Sequence, residues 1–547
     1  MSKPPFVPSK YQKDIFDWAL NATGSATVCA VAGSGKTTTL IEASKLLNSS
    51  DVLFAAFNKS IADYLRTQVP SRIDCRTIHA IGWRCLGRRL PGELTLESNK
   101  YRKLIQGRMV RLIGACNHRY GLQVVQWHLD QENLEEPKPP VEAEIQQQLE
   151  RIVHLAQCTL TEPSDYQAII KMLRHFGVAL DENYQDLLLN EAESILIEGP
   201  DLAISARLIS YEDMLWLPYL WNLQPKQYEW VFVDEAQDLS AAQLNLILKC
   251  KRPKGRMLFI GDDNQACYGF AGADCYSFQR IRDTLRGAEF PLSVCYRCGT
   301  KILELARELV PHIEPRPDAL EGKVESIFED QLPKVVKRGD LVICRLVAPL
   351  ITWCIELIKK QIPARVKGRD VGKSLTAIVR RVAEFEGFTF AQFPNFLSLY
   401  QGHRIQKLKE TPYSEGQIAL LNDKIDGILN CYKRFNCSNI EEFCEAIEAL
   451  FSDQYQAVML STVHSAKGLE EERVFILYPE YLPMKWENQQ PWEYQQERNL
   501  KYIAITRSKS ALFFVHKSNE DRRKELDVDE LSNPLKLMIT HAAKSHR

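Results

Sequence analysis

Six consecutive residues, Ala32-Gly33-Ser34-Gly35-Lys36-Thr37, have the composition of a phosphate cradle. Small side chains let backbone N–H groups wrap around phosphate oxygens at the start of a helix, where unpaired amides already favour an anion. In that setting Lys36 would reach the β- and γ-phosphates of a nucleotide, and the Thr37 hydroxyl would hold magnesium. The general pattern asks for Gly where Ala30 stands, so the strict phosphate-loop expression fails at one position. The flanks agree with the cradle, because ATVCA before it reads as a strand and TTTLIEASKLL after it reads as a helix. Further along, the apolar run Val231-Phe232-Val233 delivers Asp234 and Glu235 past its carboxyl end. Asp234 is placed to bind Mg2+, and Glu235 to orient or deprotonate an attacking water. Paired acids after a strand are common on solvated loops; the cradle upstream is what favours catalysis here.

Six blocks follow one another in a fixed order. They are AxAGSGKT at 30–37, DExQD at 234–238, GDxxQxxYxF at 261–270, Tyr296-Arg297, TxHxAKGLE at 462–470, and 497–507, which closes on Thr506-Arg507. Together they resemble the superfamily 1 helicases of the UvrD/Rep group, from near residue 10 to near residue 515. The resemblance implies an ATP-dependent DNA helicase that moves along single-stranded DNA, 3′-to-5′, and unwinds duplex. The alternative within the same class is a translocase that strips bound proteins from single strands with little unwinding. A nucleotide-dependent switch that binds DNA without moving has little use for a complete hydrolytic set, and a phosphate-loop kinase has none for a second arginine-bearing core.

By the same resemblance, Gln265 senses the γ-phosphate and couples hydrolysis to the DNA groove. Arg297 and Arg507 stabilise charge on the transferring phosphoryl group. Tyr296 stacks on adenine, Gln12 hydrogen-bonds the adenine edge, and Glu470 contacts the nucleotide sugar. Tyr268 and Phe270 stack on bases, which adds about 1–3 kcal/mol per base and tolerates any sequence; the competing reading puts Phe270 in the core and leaves Tyr268 alone in the groove. Phe57 and Asn58 resemble the first DNA-contact block, shortened by one residue. Thr77, His79, Thr462 and His464 match positions that meet backbone phosphates, although a His after a strand is as readily structural. Three features depart from the pattern. Ala271 stands where an Arg is usual, Thr38 stands where an Arg usually packs on adenine, and the second insertion is short.

These residues need two scaffolds to position them. Strand signals at 26–33, 52–57, 230–236 and 257–263 read as one α/β core, and those at 340–346, 457–463, 473–479 and 511–517 as another. Helical periodicity fills 86–205 and 370–455. The expected fold is therefore α/β, two RecA-like cores each interrupted by a mainly helical insertion, with ATP between them. Residues 1–85 and 206–290 form the ATP-binding core, 86–205 its insertion, 291–369 and 456–530 the second core, 370–455 a reduced insertion, and 531–547 a tail. No appended nuclease domain is expected after it.

Composition agrees with a soluble motor. The 547 residues are 45% hydrophobic and 25% charged, and 69 Lys+Arg oppose 70 Asp+Glu. Overall charge therefore does not hold nucleic acid, and a local basic groove is required. No apolar run spans a bilayer, and MSKPPFVPSK lacks a secretory core. A cytoplasmic place is expected, nucleoid-associated when on DNA. ATP and Mg2+ are the expected cofactors. Single-stranded DNA and single-strand/duplex junctions are the expected partners, and replication or repair proteins are candidates. Fifteen cysteines form no regular framework, and the Cys295/Cys298 pair has no second pair at metal-ligand spacing.

Overall fold

Burial on both faces selects the central strands. VLFAA (Val52–Ala56) is buried along its length, and so are the last four residues of Tyr228–Val233, as in a sheet covered by helices on both sides. The computed structural model describes residues 6–130, 142–267, 272, 276–409, 415–451 and 457–518, apart from positions 179, 182 and 488. The chain divides into two compact units. One comprises Met1–Cys295 with Lys407–Ser414 and Gln490–Gln496, and the other Tyr296–Gln406, Glu415–Gln489 and Glu497–Arg547. No helix among the described residues is long and apolar enough to cross a membrane.

The first unit is built on a six-stranded sheet of β1 (Ala26–Ala30), β2 (Val52–Ala56), β3 (Asp74–Thr77), β4 (Tyr228–Val233), β5 (Lys251–Gly261) and β6 (Ala288–Leu292), in the order β3-β2-β4-β5-β1-β6. Every pairing is parallel. Helices α1 (Lys10–Asn21), α2 (Lys36–Leu46), α3 (Lys59–Gln68) and α4 (Ile78–Arg89) alternate with the early strands. Ser9 and Gln12 form a capping box that starts α1. Between β3 and β4 the chain runs through α5 (Lys100–Asp130), α6 (Glu142–Thr159), α7 (Tyr166–His175), α8 (Gln185–Ser205) and α9 (Tyr211–Leu220). These helices bury a core of their own, with Ile105, Leu112, Ile152, Leu188 and Ile195 at its centre. The sheet faces pack in separate clusters.

The second unit carries another parallel six-stranded sheet: β7 (Lys323–Phe328), β8 (Leu341–Cys344), β9 (Ala364–Lys367), β10 (Val458–Thr462), β11 (Glu471–Leu477) and β12 (Ser508–His516), in the order β7-β12-β11-β8-β10-β9. Helix α10 (Val347–Lys359) follows β8. Four helices lie between β9 and β10, namely α11 (Arg369–Ala383), α12 (Phe393–Lys409), α13 (Glu415–Arg434) and α14 (Ile440–Ala449). They have no separate core: Leu375, Val379, Phe393, Ile425, Ile428 and Phe443 join Leu350 and Ile351 of α10 and Val342 and Val458 of the sheet in one cluster. The backbone amide of Val366 donates to Leu450 O at 2.9 Å, tying β9 to the end of α14. The short α15 (Val463–Ala466) and, from Glu497 on, the long α16 (Pro491–Ile505) complete the unit.

Candidate active site and nucleic-acid interface

The turn after β1 places Gly33 at φ 66° and Gly35 at φ 79°, a left-handed backbone that glycine alone adopts without cost. Gly35 caps α2 without a side-chain hydrogen bond, so the first amides of the helix remain available to an anion. Ala32 is buried, and the Ser34 hydroxyl donates to Val31 O at 2.8 Å, which tightens the loop on itself. Lys36 Nζ lies 3.5 Å from Glu235 Oε1. Thr37 Oγ1 donates to Asp234 Oδ2 at 2.5 Å. The Lys36, Thr37, Asp234 and Glu235 named from sequence thus converge on one point. Gln12 reaches the same loop from α1: it is buried, its Nε2 donates to Thr39 Oγ1 at 2.9 Å, and its Oε1 accepts from Ser9 N at 2.9 Å. A Cβ on Gly35 would stand 3.8 Å from Gln12 Nε2. Thr38 is exposed beside it.

Glu235 is not a glycine, yet its φ is 51°, a conformation that costs about 1–3 kcal/mol unless its surroundings hold it. They do so through Gln237. Its Nε2 donates to Glu235 Oε2 at 2.6 Å, and its Oε1 accepts from Asp262 N at 3.0 Å. Asp262 Oδ2 in turn accepts from Gln265 Nε2 at 2.6 Å. A Cβ on Gly261 would come within 2.7 Å of Gln237 Oε1, so the glycine at the end of β5 is what admits this amide. Gln237 and Asp262 were not singled out in the sequence, although both lie inside the DExQD and GDxxQ blocks. What the sequence hid is that they join Glu235 to Gln265 in one chain. Burial, then the neighbouring Glu235 charge, pushes the Asp234 carboxyl above its ordinary range despite Lys36 and Thr37. A buried acid crowded by a second carboxylate and flanked by a hydroxyl is a fitting pair of ligands for a hard divalent cation. The glycine-lined helix start likewise suits a polyphosphate.

In the second unit Tyr296 is exposed. Arg297 Nε pairs with Glu470 Oε2 at 2.6 Å, and its Nη1 donates to Thr506 O at 3.0 Å. Glu470, read from sequence as a sugar contact, also faces Lys509 Nζ at 3.2 Å, and these charges hold its carboxyl below the usual range against burial. Arg507 is fully buried, with Nε donating to Ile503 O at 3.0 Å and Nη1 to Leu469 O at 3.1 Å. Cys295 and Cys298 are both buried.

Three of the nucleic-acid candidates turn out to be helix caps. Asn58 Oδ1 accepts from Ile61 N at 2.9 Å, Thr77 Oγ1 from Ala80 N at 3.2 Å, and Thr462 Oγ1 from Ser465 N at 3.3 Å. Each stands at or just past the end of a parallel strand (β2, β3 and β10), where a helix start presents amides to an anion. Thr77-Ile-His79 and Thr462-Val-His464 repeat this arrangement, one in each unit. His79 is half-buried and meets Tyr211 edge-on with ring centroids 6.0 Å apart; burial lowers its pKa. Burial, then the Arg345 and Lys467 charges, push His464 down to about 3. Phe57 is half-buried at the end of β2. Tyr268, Phe270 and Ala271 lie outside the described residues.

Comparison with known proteins places these features in context. Residues 13–286 match the UvrD/REP helicase N-terminal domain, and residues 438–519 the UvrD-like helicase C-terminal domain. The chain is similar to F-box DNA helicase protein 1 of Schizosaccharomyces pombe, 24% identical over 92% of this chain and 56% of that protein. It is similar to a probable DNA helicase of Mycoplasma pneumoniae, 22% identical over 91% of this chain and 81% of that protein. DNA helicase II of Escherichia coli is 21% identical over 63% of each chain. The chain thus spans little more than half the length of the first of these relatives.

Proposed function

The chain belongs to the UvrD/Rep helicase family, and from that premise we propose that it is an ATP-hydrolysing DNA helicase that translocates 3′-to-5′ on single-stranded DNA and opens duplex. The observation that carries the reading is the hydrogen-bonded chain Glu235–Gln237–Asp262–Gln265, anchored at the phosphate loop by the 3.5 Å Lys36–Glu235 pair. It links a general base to the strand of sequence that leads directly into Tyr268 and Phe270.

ATP with Mg2+ supplies the phosphoryl bond whose cleavage drives the motor. Lys36 and the amides of 33–37 bind the phosphates, Thr37 and Asp234 hold the cation, and Glu235 accepts a proton from the attacking water at its carboxylate. Gln237 keeps that carboxylate oriented. Arg297 and Arg507 stabilise the charge that develops in the transition state, and Tyr296 and Gln12 read the base. Asn58, Thr77 and Thr462 meet the DNA backbone at three helix starts, with Phe57, His79 and His464 beside them. Tyr268 and Phe270 supply the base stacking.

Steady-state ATPase assays with and without single-stranded DNA test the proposal. The wild type is expected to be stimulated at least tenfold, and Lys36→Ala to be inactive in both conditions. An ATPase indifferent to single strands would overturn the reading. A second reading, a translocase that clears proteins from single strands and unwinds little, is favoured by one observation: buried residues of α11, α12, α13 and α14 join the second unit's own core rather than a separate one.

A further inference from the structure

Arg345 follows β8 directly and is 7% exposed; Glu497 of α16 is 3% exposed. Arg345 Nε donates to both Glu497 carboxylate oxygens at 3.0 and 2.9 Å, and Nη2 donates to Oε1 at 2.6 Å. Both partners are held from behind. Asp423 of α13 accepts the amides of Val347 and Ala348 at 2.7 and 2.8 Å, which fixes the turn that carries Arg345. Glu497 Oε2 also accepts from Met484 N at 3.2 Å. Neither residue belongs to the proposed catalytic or binding set.

A buried ion pair is a poor way to stabilise a fold, since apolar replacements of the same volume often do as well or better. What a bidentate fork provides is orientation. Here it orients α16, which leads into Arg507, against the end of β8. Arg507 Nη1 in turn bonds Leu469 O, in the segment that begins at Thr462 and His464. Arg345 also lies close enough to His464 for its charge to depress the ring's pKa. Arg345 therefore grips the helix that leads into an arginine finger, stands in the turn that Asp423 fixes before α10, and neighbours a proposed nucleic-acid contact.

We propose that the Arg345–Glu497 pair is a positioning element that couples strand binding at Thr462 and His464 to the placement of Arg507. The inference rests on the helicase reading. Because a half-pair leaves a buried charge unpartnered, the decisive variants are Arg345→Lys, which keeps the charge but loses the fork, and the double apolar replacement Arg345→Met with Glu497→Leu. ATPase is measured without DNA and across a titration of an oligo(dT), alongside thermal melting and oligo(dT) affinity.

In both variants basal ATPase is expected within about twofold of wild type and oligo(dT) affinity within a few-fold. The ratio of stimulated to basal rate is expected to fall at least tenfold, with the double variant melting near wild type. A double variant that melts like wild type and keeps its full stimulation would overturn the inference, since the pair would then only hold the fold. Full stimulation in Arg345→Lys would overturn it as well, and that variant decides the matter if the double variant melts early. A wild type without DNA stimulation would remove the helicase reading and this inference with it, whereas a stimulated wild type with equally stimulated variants removes the inference alone.

Discussion

At the scale of the residue, the account turns on Glu235, a carboxylate held in a left-handed backbone by Gln237 and faced by Lys36. Glu235→Gln preserves shape and removes the base, so nucleotide affinity should stay within a few-fold while kcat falls about 10²–10⁴-fold; fluorescent-nucleotide binding beside turnover measures both. His464 makes a separate prediction. Its ring takes a proton near 6.5 when unfolded and only near 3 when folded. Between those values the unfolded chain binds more protons, so this ring's contribution is intact above about pH 6.5 and is lost as pH falls toward 3. His464→Asn should flatten part of the acid limb of a stability-versus-pH curve, and a limb of unchanged slope would contradict the burial argument. Residue types at fixed spacing announced Lys36, Thr37, Asp234 and Glu235 in the sequence. Gln237 and Arg345 were silent because their importance is relational: one needs Asp262 and Gly261 from another strand, the other Glu497 from a distant helix.

At the scale of the element, the eight strands visible as apolar runs are β1, β2, β4, β5, β8, β10, β11 and β12, all of them interior to their sheets. The four that were not visible, β3, β6, β7 and β9, are the four sheet edges. Interior parallel strands are covered on both faces and must be apolar throughout, whereas an edge strand carries polar residues such as those of DCRT and ARVK. The caps were hidden for a related reason, since a Thr after a strand reads the same whether its hydroxyl meets a phosphate or a helix amide. In this fold Thr462 does the second, and its hydroxyl hydrogen can still serve the first. Thr462→Ala should lose a cap worth about 1 kcal/mol and lower the melting point by a few degrees. Thr462→Asn should restore the melting point but not single-strand affinity. Recovery of affinity by Asn would mean that the residue acts through the cap alone.

At the scale of the whole molecule, the two helical insertions are different kinds of object. The described helices of 86–205 centre on a core of their own, and the sequence reading of 370–455 is a second, reduced helical insertion. Its described helices instead share the second unit's core. Replacing it with a linker would uncover Leu350, Ile351 and Leu357 of α10 and delete Leu375, Val379, Phe393, Ile425, Ile428 and Phe443. At about 1.5–3 kcal/mol for each fully buried side chain, six such losses are comparable to the whole of the roughly 5–15 kcal/mol that holds a domain together. The shortened chain should therefore lose the cooperative melting of its second unit and its ATPase, and a folded, active deletion would refute the shared core. The periodicity of 370–455 reported helices correctly; it could not report which surface they bury. The central claim, an ATP-driven motor with a direction, is tested most directly by strand displacement from duplexes carrying a 3′ or a 5′ single-stranded tail, with ATP and Mg2+ present. The account predicts displacement from the 3′-tailed duplex, little from the 5′-tailed one, and none by Lys36→Ala; displacement confined to the 5′-tailed duplex, or equal with and without ATP, would contradict it.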